Sequence, residues 1–220
     1  MKHIPGFDEE AYFNFIQEPN DTPSVFKLQS TILTAPNRPE MIQWTVKAIT
    51  SNENFMALYN EQYNPPFPSN DELMRYSEGS LGRAVAVHLL ANDISLDFAG
   101  MDTSVFYQKN MSPMAYLGAR MIRTHDVYHA VFGLGTSALE EHKLLSFQLG
   151  QLASPYHMTL LSSGYIRMAF FEPEKIPDFL DGLAHYYKVG KSADFFPGFP
   201  FETNWATPLA KVRELLNVVV

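Results

Sequence analysis

The chain has 220 residues and a formal net charge of -8, and hydrophobic residues make up 46% of it. A chain of this length and apolar content can bury one sizeable core and is too apolar for a disordered protein. The acidic balance argues against nucleic-acid binding, which relies on positive charge. No cysteine is present, so disulfides and thiolate zinc sites are excluded, and any metal must use histidine and carboxylate ligands.

The start of the sequence, MKHIPGFDEEAYFNF, lacks the features of a targeting segment. It carries acidic residues early and has no long apolar run, so we expect neither a secretory signal peptide nor a mitochondrial presequence. No stretch reaches the roughly 18 uninterrupted apolar residues of a membrane-spanning helix. We therefore expect a cytoplasmic protein that is soluble or peripheral to a membrane.

Apolar residues at spacings of three and four predict helices along most of the chain. These helices cover residues 41–58 with a break at Ser51 and Asn52, 80–93, 112–135, 138–152, 176–188 and a short stretch after Thr207. We find no alternating strand pairs with turn signals and no repeat of fixed period. The predicted fold class is all-α, as a single compact helical domain over residues 1–220.

The segments between these helices also have distinctive compositions. Residues 64–71 contain three prolines, and residues 190–205 are rich in Pro, Gly and Phe, so both are predicted loops. Residues 156–171 form an unusually apolar and aromatic segment. Cap and first-turn pairs are predicted at Ser112 with Pro113 and at Thr207 with Pro208.

Three polar residues share one wedge of the helix predicted over residues 112–135. On a helix, positions i, i+1 and i+4 project at about 0°, 100° and 40°, which groups His125, Asp126 and His129. Two histidines at this spacing can bind one cation, as in zinc helices with the H-E-x-x-H pattern. The shorter Asp126 suits direct coordination or a hydrogen bond to a histidine ring.

The next helix could supply a further ligand. Gly133 and Gly135 allow a tight reversal, and Ser137 with Glu140 matches the S-x-x-E capping box at a helix start. Glu140 therefore has a structural task, and Glu141 is left to face the two histidines. The sequence predicts a metal-binding helix hairpin.

The alternative is that the histidine pair is a chance feature of a surface or core. Two other histidines lie nearby: His142 is predicted to be a solvated helix residue and His157 a loop residue. Tyr128 and Arg123 lie off the wedge, where we expect them to pack or to form salt bridges.

The pattern H-D-V-Y-H, followed after eleven residues by Glu141, resembles the H-D-x-x-H-x11-E signature of the Coq-four family of coenzyme Q (ubiquinone) biosynthesis proteins. EGSLGRAVAVHLLANDIS at 78–95 is similar to its E-G-[ST]-L-G-x-x-Y segment and the polar turn after it, and TPLAKVRELLNV is similar to its C-terminal segment. The resemblance covers about residues 35–218. The chain departs from the family pattern at Glu140, at Ala84 with Val85, and at 190–196.

The resemblance implies an all-α fold and a divalent metal, usually zinc, on His125, Asp126, His129 and Glu141. It also implies a protein peripheral to a membrane surface, often a homodimer, that binds a polyprenyl lipid or quinone precursor and associates with other quinone-biosynthesis enzymes. Its activity would be the oxidative C1 decarboxylation of a polyprenyl-benzoate. The alternative within the family is a scaffold without catalysis. Four protein ligands would close a tetrahedral site, whereas three would leave a position for substrate.

A polyprenyl tail requires an apolar groove, and two segments could line one. The first is the helix over residues 85–90, and the second comprises Met158, Leu160, Leu161, Tyr165, Ile166, Met168, Phe170 and Phe171. The alternative is that these residues belong to an ordinary hydrophobic core. Ser80 and Arg83 could hold an anionic head group at a helix N-terminus, or could simply form the start of that helix. Arg167 could be a second anion contact or a salt-bridge partner.

A different class, the H-D phosphohydrolases, needs an upstream His and a downstream Asp on separate helices. His88 and Asp178 could serve in those places. Glu141 at its fixed spacing is not part of that design, so this class is the remote alternative.

Overall fold

The computed structural model describes residues 7–18, 23–24, 27–28, 38–94 and 110–219, apart from the side chains of 38–41. Within these ranges the chain forms ten α-helices and three short 3-10 turns, and no strand. The all-α fold class is therefore confirmed. The polar turn expected after Asn92 continues past residue 94 and lies outside the described residues.

The bounds of the predicted helices agree closely with the structure, whereas the helices at Glu9–Gln17, Asn70–Leu73 and Pro155–Phe171 were not predicted, and the second of them begins within the predicted loop over residues 64–71. The helices are α1 (Glu9–Gln17), α2 (Arg38–Thr50), α3 (Glu53–Asn60), α4 (Asn70–Leu73), α5 (Leu81–Ala91), α6 (Pro113–Phe132), α7 (Ala138–Leu152), α8 (Pro155–Phe171), α9 (Ile176–Ser192) and α10 (Leu209–Leu215). The 3-10 turns are Pro173–Lys175, Phe196–Gly198 and Phe201–Thr203. The break predicted at Asn52 separates α2 from α3, because the Asn52 side chain accepts a hydrogen bond from the Phe55 amide at 2.8 Å and caps α3.

The chain divides into two compact units, each built from two separate stretches. The first unit comprises residues 1–47 and 137–191, and the second comprises 48–136 and 192–220. The expectation of a single domain stays a prediction.

Side chains of α1, α7, α8 and α9 contribute to the core of the first unit. Its buried members are Ala11, Phe15, Leu28, Leu145, Leu160, Leu161, Met168, Phe179 and Leu183. The apolar segment predicted around residues 156–171 is helical and supplies three of these residues, which explains its composition.

Two histidine predictions in this unit were wrong. His142 is not solvated, since only 1% of it is exposed, and His157 is a buried residue of α8 and not part of a loop. The ring of His142 packs edge-on against Phe179, and its Nδ1 lies 2.5 Å from the Ala138 carbonyl oxygen. Burial lowers the pKa of His142, so the ring is held neutral in the packed interior.

Aromatic rings pack together in the core of the second unit. Phe196 packs against Tyr128, Phe132 and Phe201, with ring centroids 5.0, 5.5 and 5.8 Å away. The predicted loop over residues 190–205 therefore contributes Phe196 and Phe201 to this core, and it contains two of the 3-10 turns.

The segment before α10 pairs with the start of α5. The amide of Leu81 donates to the Thr207 carbonyl at 2.9 Å, and the amide of Gly82 donates to the Trp205 carbonyl at 2.8 Å. The predicted Thr207 cap was wrong: Pro208 is the N-cap of α10, without a side-chain hydrogen bond. The Thr207 hydroxyl instead bonds the Asn204 side-chain oxygen at 3.1 Å.

Candidate metal centre

Helix α6 carries three of the four predicted ligands, and its ends form as the sequence indicates. Ser112 accepts a hydrogen bond from the Ala115 amide at 3.3 Å, and Pro113 begins the helix. Gly133 closes it in the left-handed conformation, with φ of 71°. The helix is therefore regular through His125 and His129, and the i, i+4 relation between them holds.

The two histidines converge on one point. Their Nε2 atoms lie 3.1 Å apart, His129 is fully buried and His125 is partly buried. Two nitrogens bound to one tetrahedral zinc at about 2.0–2.1 Å stand about 3.3 Å from each other. The pair therefore fits a shared cation, although the same separation suits a hydrogen bond between the rings.

Asp126 turns toward a different histidine. Its Oδ1 lies 3.5 Å from Nε2 of His88 on α5, an ion-pair distance longer than a good hydrogen bond. The His88 ring also stacks on His129, with centroids 5.2 Å apart and planes 13° from parallel. Burial by itself raises the pKa of Asp126, but His88 and the charges of His125 and His129 together hold that pKa below its usual value.

A chain of polar contacts continues behind His88. The side-chain Nδ2 of Asn92 lies 3.4 Å from His88 Nδ1, and Asn92 Oδ1 accepts a hydrogen bond from the Thr136 hydroxyl at 2.9 Å. Sequence reasoning missed Asn92 and Thr136, and it considered His88 only for a phosphohydrolase. The available signal was the i, i+4 spacing of His88 and Asn92 on an apolar helix.

Glu141 lies in the first turn of α7, in the first unit, and is partly buried. Ser137 caps this helix: its Oγ accepts from the Glu140 amide at 3.4 Å and donates to the Glu140 carboxylate at 2.6 Å. The predicted Ser137 cap is therefore present, while the Glu140 carboxylate accepts from the Ser137 hydroxyl, where the predicted capping box requires the Ser137 amide.

The residues predicted to hold a head group are engaged within the protein. Ser80 is buried as the N-cap of α5, with its Oγ donating to the Ser77 carbonyl at 2.6 Å. The Arg83 guanidinium donates to the Met74 carbonyl. Because the Leu81 and Gly82 amides are also paired with backbone carbonyls, these observations favour the plain start of a helix over an anion cradle.

Arg167 is a salt-bridge partner. Its Nε lies 3.0 Å from Glu172, and its Nη1 donates to the carbonyls of Ile16 and Gln17 at 3.0 and 2.8 Å. These contacts tie α8 to the end of α1 within the first unit.

The predicted tail-binding residues divide into core and surface. Met168, Leu160 and Leu161 are core residues. The exposed members are Met158, Tyr165, Ile166, Phe170 and Phe171 on α8, with Val87 and Leu90 on α5. A shallow groove of about 580 Å³ is lined by other residues, namely Pro66, Phe67, Pro68, Glu72, Arg75 and Tyr76.

Comparison with known proteins decides the family. A sequence profile of the coenzyme Q (ubiquinone) biosynthesis protein Coq4 matches residues 67–220. The chain belongs to the Coq4 family. The crystal structure of a candidate ubiquinone biosynthesis protein from Nostoc punctiforme PCC 73102 is similar to this Coq4 family member, with a TM-score of 0.77, 25% identity and 96% of each chain covered. Comparison with curated proteins gives no match.

Membership of the Coq4 family places the chain in ubiquinone biosynthesis. His88 does lie beside Asp126, as the phosphohydrolase alternative requires, and Asp178 lies in the first turn of α9. The family match nevertheless favours the quinone pathway over that alternative. Among the described residues, no helix of this Coq4 family member combines the length and hydropathy that a membrane crossing requires.

Proposed function

We propose that the chain binds a divalent metal through His125, His129 and Glu141, and that zinc is the metal these ligands suit. Each of the three side chains offers one ligand atom. The observation that carries the proposal is the 3.1 Å separation of the two histidine Nε2 atoms on one face of α6. Imidazole and carboxylate are the zinc ligands open to a chain without cysteine.

In this proposal Asp126 is a supporting residue and not a fourth ligand. Its carboxylate interacts with His88, and an ionised, partly buried aspartate beside two ligand histidines adds negative charge that favours a cation. Three protein ligands leave one coordination position for substrate, which is the arrangement of catalytic zinc sites.

The substrate in the proposal is a polyprenylated benzoate, and the reaction is oxidative C1 decarboxylation. The bond from ring to carboxyl breaks and releases CO2, and the oxygen of a water molecule forms a hydroxyl at the same carbon. Dioxygen accepts the two electrons and two protons that are released and leaves as hydrogen peroxide. A bound divalent metal supplies a Lewis acid for the ring carboxylate. His129 is fully buried, which excludes water from its side of the site.

The exposed apolar residues of α8 and α9 support membrane association and lipid binding. Ile166 and Phe170 are about one turn apart on α8 and both are exposed, Phe170 to 79%. Isolated apolar side chains are normal on a surface, whereas a run of large ones marks an interaction site. The predicted homodimer and the other quinone-biosynthesis enzymes as partners remain predictions of the family resemblance. The cytoplasmic location remains a prediction from the sequence.

Metal analysis of the purified full chain tests the site. We expect about one zinc per chain in the wild type, and a loss of most of that metal in His129→Ala and in Glu141→Gln. His157→Gln, which changes a buried histidine of α8, is the control and should retain the metal. Equal metal content in the wild type and His129→Ala would contradict the proposed site.

Release of CO2 from a carboxyl-labelled polyprenyl-benzoate tests the reaction. We expect release that requires both metal and dioxygen in the wild type and that falls to background in His129→Ala. Metal-loaded protein that binds the labelled lipid and releases no CO2 would favour a scaffold that holds the intermediate for other enzymes.

A further inference from the structure

We infer that His88 is a positioning residue of the metal site: it fixes Asp126 and the ring of His129 so that the two ligand histidines keep their convergence. The inference rests on the proposed metal site and assigns it a residue outside the H-D-x-x-H-x11-E pattern. His88 belongs to α5, whereas both ligand histidines belong to α6.

The polar chain behind His88 determines where its proton lies. Asn92 Nδ2 donates to the His88 carbonyl at 2.8 Å, and Asn92 Oδ1 accepts from the Thr136 hydroxyl. The amide is thereby oriented with its NH2 group toward His88 Nδ1, which must accept. A ring that accepts at Nδ1 carries its proton on Nε2, the atom that faces the Asp126 carboxylate at 3.5 Å.

The stacked arrangement gives His88 a second effect. Its ring lies parallel to that of His129, with centroids 5.2 Å apart, while the His125 ring meets His129 at 70°. His129 is therefore packed between two imidazoles, and its rotation about the Cβ–Cγ bond is restricted. A ligand histidine that is already oriented loses less conformational freedom when a metal binds.

Cobalt titration of metal-stripped full-length protein tests this role, with visible absorption of the bound Co2+ and chelator competition as readouts. We expect His88→Phe to weaken Co2+ binding by about 10–100-fold, the usual effect of losing a residue that supports a metal ligand, and to alter the Co2+ spectrum. His88→Gln keeps a polar N–H group near Asp126 and should bind within a few-fold of wild type. Val87→Ala, an exposed neighbour on α5, is the matched control.

A purely structural role for His88 predicts a different pattern. The metal-free His88→Phe protein would then unfold at a lower temperature than the metal-free wild type, while its Co2+ affinity and spectrum stayed at wild-type values. That result would overturn the inference. If His88→Phe does not fold, Asn92→Ser keeps the ring and removes its orienting amide. We expect weaker Co2+ binding in Asn92→Ser, and wild-type binding there would also overturn the inference.

Failure of the metal site itself gives another result. If His129→Ala binds Co2+ as tightly as the wild type, both the site and the role of His88 are wrong. If His129→Ala loses Co2+ while His88→Phe and Asn92→Ser bind normally, only the role of His88 is wrong.

Discussion

Arg120 is a fully buried charged residue on α6, five residues before His125. Its Nη1 lies 2.8 Å from the Glu202 carboxylate, and neither side chain is exposed. Its Nε donates to the Pro197 carbonyl at 2.8 Å and its Nη2 to the Phe199 carbonyl at 2.5 Å. Arg120 thereby holds the two 3-10 turns of the 196–203 segment against the helix that carries the histidines.

Replacing one partner of this pair should destabilise the protein strongly. We expect Arg120→Met to lower the free energy of unfolding by about 3–5 kcal/mol, because it leaves the Glu202 charge buried and unpaired. Urea unfolding followed by circular dichroism measures this. Lys211→Met, which removes a largely exposed partner of Glu214, should change the free energy by about 0.5 kcal/mol or less.

The double substitution Arg120→Met with Glu202→Leu distinguishes pairing from packing. Removal of both charges should recover much of the lost stability, since no uncompensated charge remains. If the double variant loses as much unfolding free energy as the two single variants lose in sum, the two residues do not act as a pair.

At the level of single residues, the sequence predicts contacts between residues that are close along the chain. His125 and His129 are four positions apart, so helix geometry alone predicts that they converge. Arg120 and Glu202 are separated by 82 positions, and their pairing depends on how the 196–203 segment folds back. For the same reason, the approach of His88 to Asp126 could not be predicted from spacing.

At the level of elements, α7 and α8 approach closely at Gly164. A Cβ atom on Gly164 would overlap the imidazole of His142 and would lie 2.9 Å from Phe179 Cζ. This glycine is therefore required by packing, since its backbone is ordinary helix. It permits the buried position of His142, which the polar character of histidine led us to predict as solvated.

Gly164→Ala should destabilise the protein by about 1–3 kcal/mol, as inserted atoms do in a filled core. In a His142→Ala background the overlap with the imidazole is absent and the 2.9 Å approach to Phe179 Cζ remains, while alanine is favoured over glycine within a helix by about 1 kcal/mol. We therefore expect Gly164→Ala to be clearly less destabilising there than in the wild type. Thermal unfolding of the four proteins in the cycle gives the coupling, and equal effects in both backgrounds would contradict the packing argument.

Ion pairs hold the C-terminal end of α8 in place. Glu172 contacts Lys175 of the adjoining 3-10 turn and Arg167 of α8. The hydrogen bond from Lys175, then the one from Arg167, hold the pKa of Glu172 below its usual value of 4.5 although partial burial raises it. The carboxylate is thus ionised more readily in the folded protein than in the unfolded chain.

This lowered pKa predicts an acid-dependent contribution to stability. The contribution is fully present above the unfolded pKa and is lost as pH falls through the lower folded value. We expect the wild type to exceed Glu172→Gln by up to about 1 kcal/mol near neutral pH, with a difference that disappears under acidic conditions. Unfolding free energies measured at a series of pH values test this, with the exposed Glu174→Gln as control. A difference that grows on acidification would contradict the assignment.

At the level of the whole molecule, an acidic chain carries an exposed apolar surface. The formal charge is -8, while large apolar side chains of α8 and α9 face solvent, with Phe171 57% and Leu180 45% exposed. Net negative charge does not attract the protein to anionic lipids. Any binding of this surface to a bilayer must therefore depend mainly on buried apolar area.

Liposome flotation tests that expectation. Phe170→Ser with Phe171→Ser should reduce the fraction of protein bound to neutral phosphatidylcholine vesicles several-fold, because two large rings no longer insert. Leu215→Ser with Val219→Ser removes comparable exposed side chains from the second unit and should have little effect. Raised salt should leave wild-type binding nearly unchanged. Equal loss in both double variants would contradict a specific surface.

Over the described residues, the sequence predicted the ends of most of the longer helices well and the exposed surfaces poorly. Ser112, Gly133 and Ser137 set helix ends through local hydrogen bonds, and the predicted bounds agree with the structure because of them. Whether an apolar residue is core or surface depends on its neighbours in space. Met168 and Phe170 looked alike in the sequence, yet one is a core residue and the other is largely exposed.

The pairing of α5 with the segment before α10 has a consequence for synthesis. The first amides of α5 are paired with carbonyls of Trp205 and Thr207, and the Gly79 carbonyl accepts from the Leu209 amide at 2.8 Å. A nascent chain therefore leaves the start of α5 incompletely bonded until residue 209 has emerged from the ribosome. Truncated chains that end before residue 205 lack all of these hydrogen bonds, and chains that end before residue 196 also lack the Phe196–Thr203 segment. We expect proteases to degrade such truncated chains faster than full-length ones.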